Sequence, residues 1–176
     1  SVQLIKEFGD AEETGSENFM NFSIGGALTP DTDPTKYGGE LVGWKSAETN
    51  VTKVTGYDIV FVNLGSNDYG NKIALSTFAT AFSYVLETLA ENNTRVIVLT
   101  PFHRNSHPSS PAATFDAYCE KEIEIAEEMN IEVIPTRTYT YSAEFVSCLL
   151  SDNLHINERG HRIVADAILD WMTQQE

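Results

Sequence analysis

Tyr57-Asp58-Ile59-Val60-Phe61-Val62-Asn63-Leu64 runs straight into Gly65-Ser66-Asn67-Asp68. Its apolar run is continuous instead of alternating, as in a strand covered on both faces, and the glycine-led tetrapeptide after it has turn chemistry. Working outward, Ile73 to Glu91 has helical period, with Phe78, Phe82, Val85, Leu86 and Leu89 on one stripe. Arg95-Val96-Ile97-Val98-Leu99-Thr100 is a second strand of the same covered kind. Ala112 to Met129 follows as a helix with Phe115, Tyr118, Cys119, Ile123, Ala126 and Met129 inward, then Ile131-Glu132-Val133-Ile134 as a strand. Glu158 to Met172 reads as the last helix, capped by Asn157, with Ile163, Val164, Ala167, Ile168 and Trp171 inward. Upstream, Asn18 to Ile24 is a further strand candidate that leads into Gly25-Gly26.

Strands alternating with helices predict an α/β fold: a three-layer α/β/α arrangement on a doubly wound, flavodoxin-like parallel sheet. The opening Val2-Gln3-Leu4-Ile5-Lys6-Glu7-Phe8 fits a helix better than a strand. A buried parallel strand would desolvate Lys6 and Glu7, whereas a helix places Leu4, Ile5 and Phe8 on one face. Residues 1–176 are therefore expected to form a single domain whose first strand is not in this sequence. Because this layout sets strand one between strands two and three, the sheet is expected to be completed by a strand from elsewhere, by a partner segment, or by Val2 to Phe8 as a strand after all, which would revive Ala11 as the nucleophile's position.

The 176 residues suffice for one core, and 41% hydrophobic content with 10% aromatics argues against disorder despite a net charge of -15. Eleven Lys and Arg against twenty-six Asp and Glu leave no basic stripe for phosphates, so neither nucleic acid nor an anionic membrane is an expected partner. No apolar window is long enough to span a bilayer. Cys119 and Cys148 are an even pair, open to bridging in an oxidising compartment and equally ordinary as buried thiols. Asn21-Phe22-Ser23, Asn50-Val51-Thr52 and Asn92-Asn93-Thr94 are sequons that suit a secreted protein, so an extracellular setting is expected, with a cytoplasmic one left open.

Loops after parallel strands carry the chemistry of such sheets, which singles out Gly26, Asn67 with Asp68, and Asp152 with His155. The Asn67 amide can donate to a developing negative charge, or Gly65-Ser66-Asn67-Asp68 is merely a turn. Asp152 can hold His155 in one tautomer while its other nitrogen acts as a base, or the two are an ordinary surface pair. The four histidines have no metal-ligand spacing, and no metal or other cofactor is expected. His103 and His107 are candidate cleft or loop residues, and Tyr37, Trp44, Tyr69, Phe102 and Tyr139 are aromatics of the cleft loops, open to stacking on sugar faces or to covering the core edge.

In combination these segments resemble the SGNH or GDSL-type esterases and acyl hydrolases. Asn21-Phe22-Ser23-Ile24-Gly25-Gly26 looks like the family's second block, Gly65-Ser66-Asn67-Asp68 like its Gly-x-Asn-Asp third block, and Asp152-Asn153-Leu154-His155 like its last Asp-x-x-His block. The order fits, with 41 residues from Gly26 to Asn67 and 85 from Asn67 to Asp152. His155 is followed by Ile156 where many members have proline. The resemblance implies a serine ester hydrolase working through an acyl-enzyme. In that scheme His155 is the base, Asp152 orients it, and the Gly26 N–H and Asn67 amide bind the oxyanion. With no long apolar lid and several aromatics in the cleft loops, small acyl esters, acetyl first and of carbohydrates or glycans, are the expected substrates.

The family's first block, Gly-Asp-Ser, supplies the nucleophile and is not found in this chain. Gly9-Asp10-Ala11 has alanine in the serine's place, but only 15 residues separate Ala11 from Gly26, too few for the intervening helix. Reading Val2 to Gly15 as that helix instead puts the serine roughly a dozen residues upstream of Ser1. Ser1 is a remoter candidate, and Ser23 and Ser66 stand where the family uses no nucleophile. A non-catalytic binding module on the same fold would account for the missing block, though not for an Asp152 and His155 kept at working spacing. A nucleotide-binding or response-regulator domain lacks its glycine fingerprint and its acidic cluster.

Overall fold

The computed structural model describes residues 27–30, 46–93 and 95–174, which fall into two compact units. The larger unit comprises 27–30, 46–93, 95–101 and 107–135, and the smaller comprises 102–106 and 136–174. The expected strand at Asn18 to Ile24, the helix at Val2 to Phe8, and Gly9-Asp10-Ala11 and Gly26 lie outside the described residues.

In the larger unit the chain runs through α1 (Ala47–Asn50), β1 (Ile59–Val62), α2 (Ser66–Gly70), α3 (Leu75–Asn92), β2 (Arg95–Leu99), α4 (Phe115–Glu128) and β3 (Glu132–Ile134). The strands form a parallel sheet in the order β1-β2-β3, with Ile59 opposite Arg95 and Ile97 opposite Glu132. Consecutive parallel neighbours joined by long helices are the α/β pattern that the alternating sequence predicted. The central strand β2 is buried along Val96, Ile97, Val98 and Leu99, as its unbroken apolar run required. β1 departs from that expectation. It grades from an exposed Ile59 to a buried Val62, so only its carboxyl end is covered.

Helix α3 begins two residues later than predicted and buries Phe78, Ala81, Phe82, Val85, Leu86 and Leu89, the expected stripe with one addition. Phe78 and Phe82 stack at 5.4 Å between ring centroids, and each such side chain contributes about 1.5–3 kcal/mol through burial. Helix α4 also starts later, where the Thr114 hydroxyl accepts the Ala117 N–H at 3.2 Å and fixes its first turn. Its buried face contains Phe115, Tyr118, Cys119, Ile125, Ala126 and Glu122, while Ile123 is only half-buried. Glu122 sits at the centre of the i, i+3, i+4, i+7 stripe, so helical geometry buries it whatever its charge. Tyr69, for which sugar stacking and a place at the core edge are both open from sequence, is a core residue packed on Phe115 and Tyr118.

The smaller unit carries α5 (Thr136–Tyr139), α6 (Ala143–Val146) and α7 (Glu158–Thr173). Helix α7 starts where predicted, with the Asn157 side chain accepting the Gly160 N–H at 3.1 Å. Its buried positions are Gly160, Ala165 and Ile168. Ile163, Ala167 and Trp171, expected in the core, line an open groove of about 340 Å³ together with Tyr139, Asp166 and Asp170. The apolar stripe of α7 is wider than the strip that is fully buried. Cys119 and Cys148 are both buried and neither is bridged. No helix among the described residues is long and apolar enough to cross a membrane.

Candidate active site

Asp152 and His155 lie in a tight loop of the smaller unit between the bridged residues Leu149 and Ile156. The loop is closed by the Leu150 N–H donating to the His155 carbonyl at 2.8 Å and the Asn157 N–H donating to the Cys148 carbonyl at 2.9 Å. Asn153 adopts the left-handed conformation at φ 57°, which asparagine tolerates better than most residues. Its carbonyl accepts two backbone N–H groups, Asn105 at 3.0 Å and Ser106 at 2.9 Å, so the segment Phe102–Ser106 braces the loop. Gly160 opens α7 against the same loop. A Cβ there would stand 2.8 Å from the Ile156 Cβ, so a larger residue would push the helix away from the histidine.

Within this frame Asp152 makes three contacts. Oδ1 accepts the backbone N–H of Leu154 and of His155, each at 2.9 Å, and Oδ2 lies 2.6 Å from His155 Nδ1. The hydrogen bond from His155, reinforced by the two backbone donors, holds the Asp152 carboxyl well below the usual carboxylate range. An ionised Asp152 only accepts, so Nδ1 carries the proton and Nε2 is the basic nitrogen. The side chains are 70% and 47% exposed for His155 and Asp152, which makes the pair accessible to a reactant and a weak contributor to stability.

Asn67 belongs to the larger unit. It sits in the first turn of α2, directly after β1, where Gly65 turns the chain at φ 84°. One N–H of its carboxamide donates to the Ala27 carbonyl at 2.9 Å. Neighbouring Asp68 is buried, and its carboxylate accepts both the N–H and the hydroxyl of Thr29 at 2.9 Å. Burial raises the Asp68 pKa, with the hydrogen bonds from Thr29 opposing it. The Gly-Ser-Asn-Asp turn is thus tied through two side chains to residues 27–29, which immediately follow Gly26.

His103 and His107 are both engaged. His107 Nδ1 lies 2.7 Å from the Tyr69 hydroxyl in the larger unit. His103 faces the Arg137 guanidinium through Nδ1 and Asn105 Oδ1 through Nε2 at 3.0 Å, with Tyr141 edge-on to its ring. Phe102 packs on Phe145, and Tyr139 is exposed beside the α7 groove. The bracing segment around Arg104 and Asn105 has only the signature of a surface loop in the sequence. Backbone donors have no compositional signature, so nothing in the letters would have found it.

A family model described as the GDSL-like lipase/acylhydrolase family matches residues 9–163. The chain belongs to this family. The same architecture is found in a protein from Lactobacillus plantarum, at a TM-score of 0.74 and 18% identity over 94% of this chain and 86% of the other. A lipase/acylhydrolase from Enterococcus faecalis has a TM-score of 0.58 and 21% identity over 68% of this chain and 63% of the other. An acetylxylan esterase from Geobacillus stearothermophilus has a TM-score of 0.54 and 26% identity over 65% of this chain and 58% of the other. The chain therefore spans less than two thirds of the Enterococcus and Geobacillus proteins it matches. No curated protein sequence matches the chain. For this acylhydrolase family member, the α/β class and parallel sheet expected from sequence hold.

Proposed function

We propose that this acylhydrolase family member is a serine ester hydrolase that removes small acyl groups, acetyl first, from carbohydrate. The observation that carries the reading is the 2.6 Å contact between Asp152 Oδ2 and His155 Nδ1, in a loop whose backbone independently fixes the carboxylate. Membership of a family of acylhydrolases supports the reaction class. The acetylxylan esterase from Geobacillus stearothermophilus, 26% identical, supports the substrate class.

In the proposed reaction a serine Oγ, assigned to a position ahead of Ser1, attacks the acyl carbon while its proton passes to His155 Nε2. The carbonyl π electrons move onto oxygen, and the Gly26 N–H with the second N–H of Asn67 receives that oxyanion. Collapse breaks the ester C–O bond, and the alcohol leaves with the proton from Nε2. Water then gives a proton to Nε2 and attacks the acyl-enzyme, and the returned proton regenerates the serine hydroxyl as the acid departs. Asp152 keeps the ring oriented and stabilises the imidazolium at each stage. Its low pKa suits this role, because it remains an anion wherever His155 works.

The test is acetate release from acetylated xylo-oligosaccharide and from a simple acetyl ester, by the chain with its upstream segment and by its His155→Ala form. Turnover abolished by His155→Ala supports the reading. Turnover that survives the substitution defeats the base assignment. Sugar ester binding without turnover in either protein identifies a binding module instead.

A further inference from the structure

Glu122 is fully buried in α4, and neither of its carboxyl oxygens has a hydrogen-bond partner. An unpartnered buried polar group calls for an explanation, because an apolar side chain of the same shape would fill the space without the desolvation cost. Its position is specific. A Cβ on Gly65 would stand 2.3 Å from Glu122 Oε1 and 3.4 Å from the Phe78 ring, so the carboxyl lies directly against the backbone at the start of the Gly65-Ser66-Asn67-Asp68 turn. We propose that Glu122 is a positioning residue for Asn67, its carboxyl forming the floor on which the Gly65–Asp68 turn is seated. This rests on reading Asn67 as an oxyanion donor.

The surroundings dictate the form of the carboxyl. Asp68 of α2 acts on it directly; the buried faces nearby add Tyr69 of α2 and Tyr118 and Cys119 of α4, while those of α3, β2 and β3 carry no titratable group. Asp68 repels a second negative charge, and the larger unit has no buried cation among its described residues. Burial first, and Asp68 second, raise the Glu122 pKa well above its usual value, so the folded protein holds it as the neutral acid. The unfolded chain releases that proton near the ordinary glutamate value while the fold retains it. The stabilising seat is therefore fully present below that value and weakens as pH rises towards the folded pKa. On ionisation the carboxylate must reach water or move, and the turn bearing Asn67 moves with it.

The experiment follows the Asn67 side-chain N–H resonances and the hydrogen-exchange protection of Ser66–Tyr69 from mildly acidic to alkaline pH, in the protein and in Glu122→Gln and Glu122→Ala. In the wild type, protection of the turn should fall about tenfold with rising pH while the β2 amides hold. Glu122→Gln, which cannot ionise, should keep the acidic-form resonances and flatten that dependence. Glu122→Ala should shift the Asn67 resonances at every pH. Should Glu122→Ala fail to fold, Glu122→Gln alone decides. A wild-type pH dependence retained in Glu122→Gln, or unshifted Asn67 resonances in a folded Glu122→Ala, would overturn the proposal. None of these readouts needs ester turnover, so an inactive esterase and a failed seat are separate results.

Discussion

Asp152 binds His155 twice, accepting the backbone N–H of the histidine at Oδ1 and facing its ring Nδ1 at Oδ2. One carboxylate thereby fixes both where the histidine backbone turns and which ring nitrogen stays basic. Residues three apart can do this only in a tight loop, and the Leu149–Ile156 bridge supplies it.

The Asp152 pKa is lowered chiefly by the His155 side chain, then by the backbone N–H groups of His155 and Leu154. Its contribution to the loop is present above the ordinary aspartate value of about 3.9 and is lost as pH falls through the folded value. A carbon-detected titration should place the Asp152 midpoint below the normal range. In His155→Ala the midpoint should rise yet remain low, because both backbone donors persist. An unchanged midpoint in that variant would show that the ring contributes nothing.

Asn67→Ala should lower kcat for ester hydrolysis about 10²–10³-fold with little change in KM, since an oxyanion donor acts on charge that develops only in the transition state. Steady-state kinetics of the chain with its upstream segment measures this. A loss expressed wholly in KM would make Asn67 a substrate-binding residue.

Gly65→Ala should destabilise the protein by about 2 kcal/mol or more, combining a positive φ with an intruding methyl group. The Cβ would lie 2.3 Å from Glu122 Oε1, so part of the cost belongs to that contact. Urea unfolding of Gly65→Ala, Glu122→Ala and the double variant should show coupling, with the double variant more stable than the sum of the singles implies. Strict additivity would mean that the two positions do not share the strain.

Much of the architecture was legible because the chemistry of the chain is locally consistent. The β2 run from Val96 to Leu99 and the α3 stripe from Phe78 to Leu89 each satisfy one period without conflict, and the structure buries both. The Asn157 cap was legible for the same reason, since a short polar side chain precedes an amphipathic run. Glu122 was not, because reading buried faces from apolar letters passes over a carboxyl at the centre of the stripe. Trp171 failed in the opposite sense. Hydrophobicity marks which residues can be covered, but of this helix only Gly160, Ala165 and Ile168 are buried, while Trp171 lines the groove. In the site, Asp-x-x-His spacing shows that a contact is possible, but the braces from Asn105 and Ser106 are backbone groups that any residue would carry.

Ala11→Ser distinguishes the two placements of the nucleophile. If the serine lies ahead of Ser1, this substitution leaves the 176-residue chain without ester hydrolysis, and the upstream segment confers it. If Gly9-Asp10-Ala11 is a disabled first block, Ala11→Ser alone restores turnover. An acetyl-ester assay on the two proteins reads the difference.

The most direct measurement is covalent trapping with a fluorophosphonate, which labels a serine only where a neighbouring base and oxyanion donors activate it. Mass spectrometry of the labelled chain with its upstream segment should find one modified serine ahead of Ser1, and labelling should slow by about 10³-fold or more in His155→Ala. Absence of any label, or labelling at the same rate without the imidazole, would rule out a serine activated by His155.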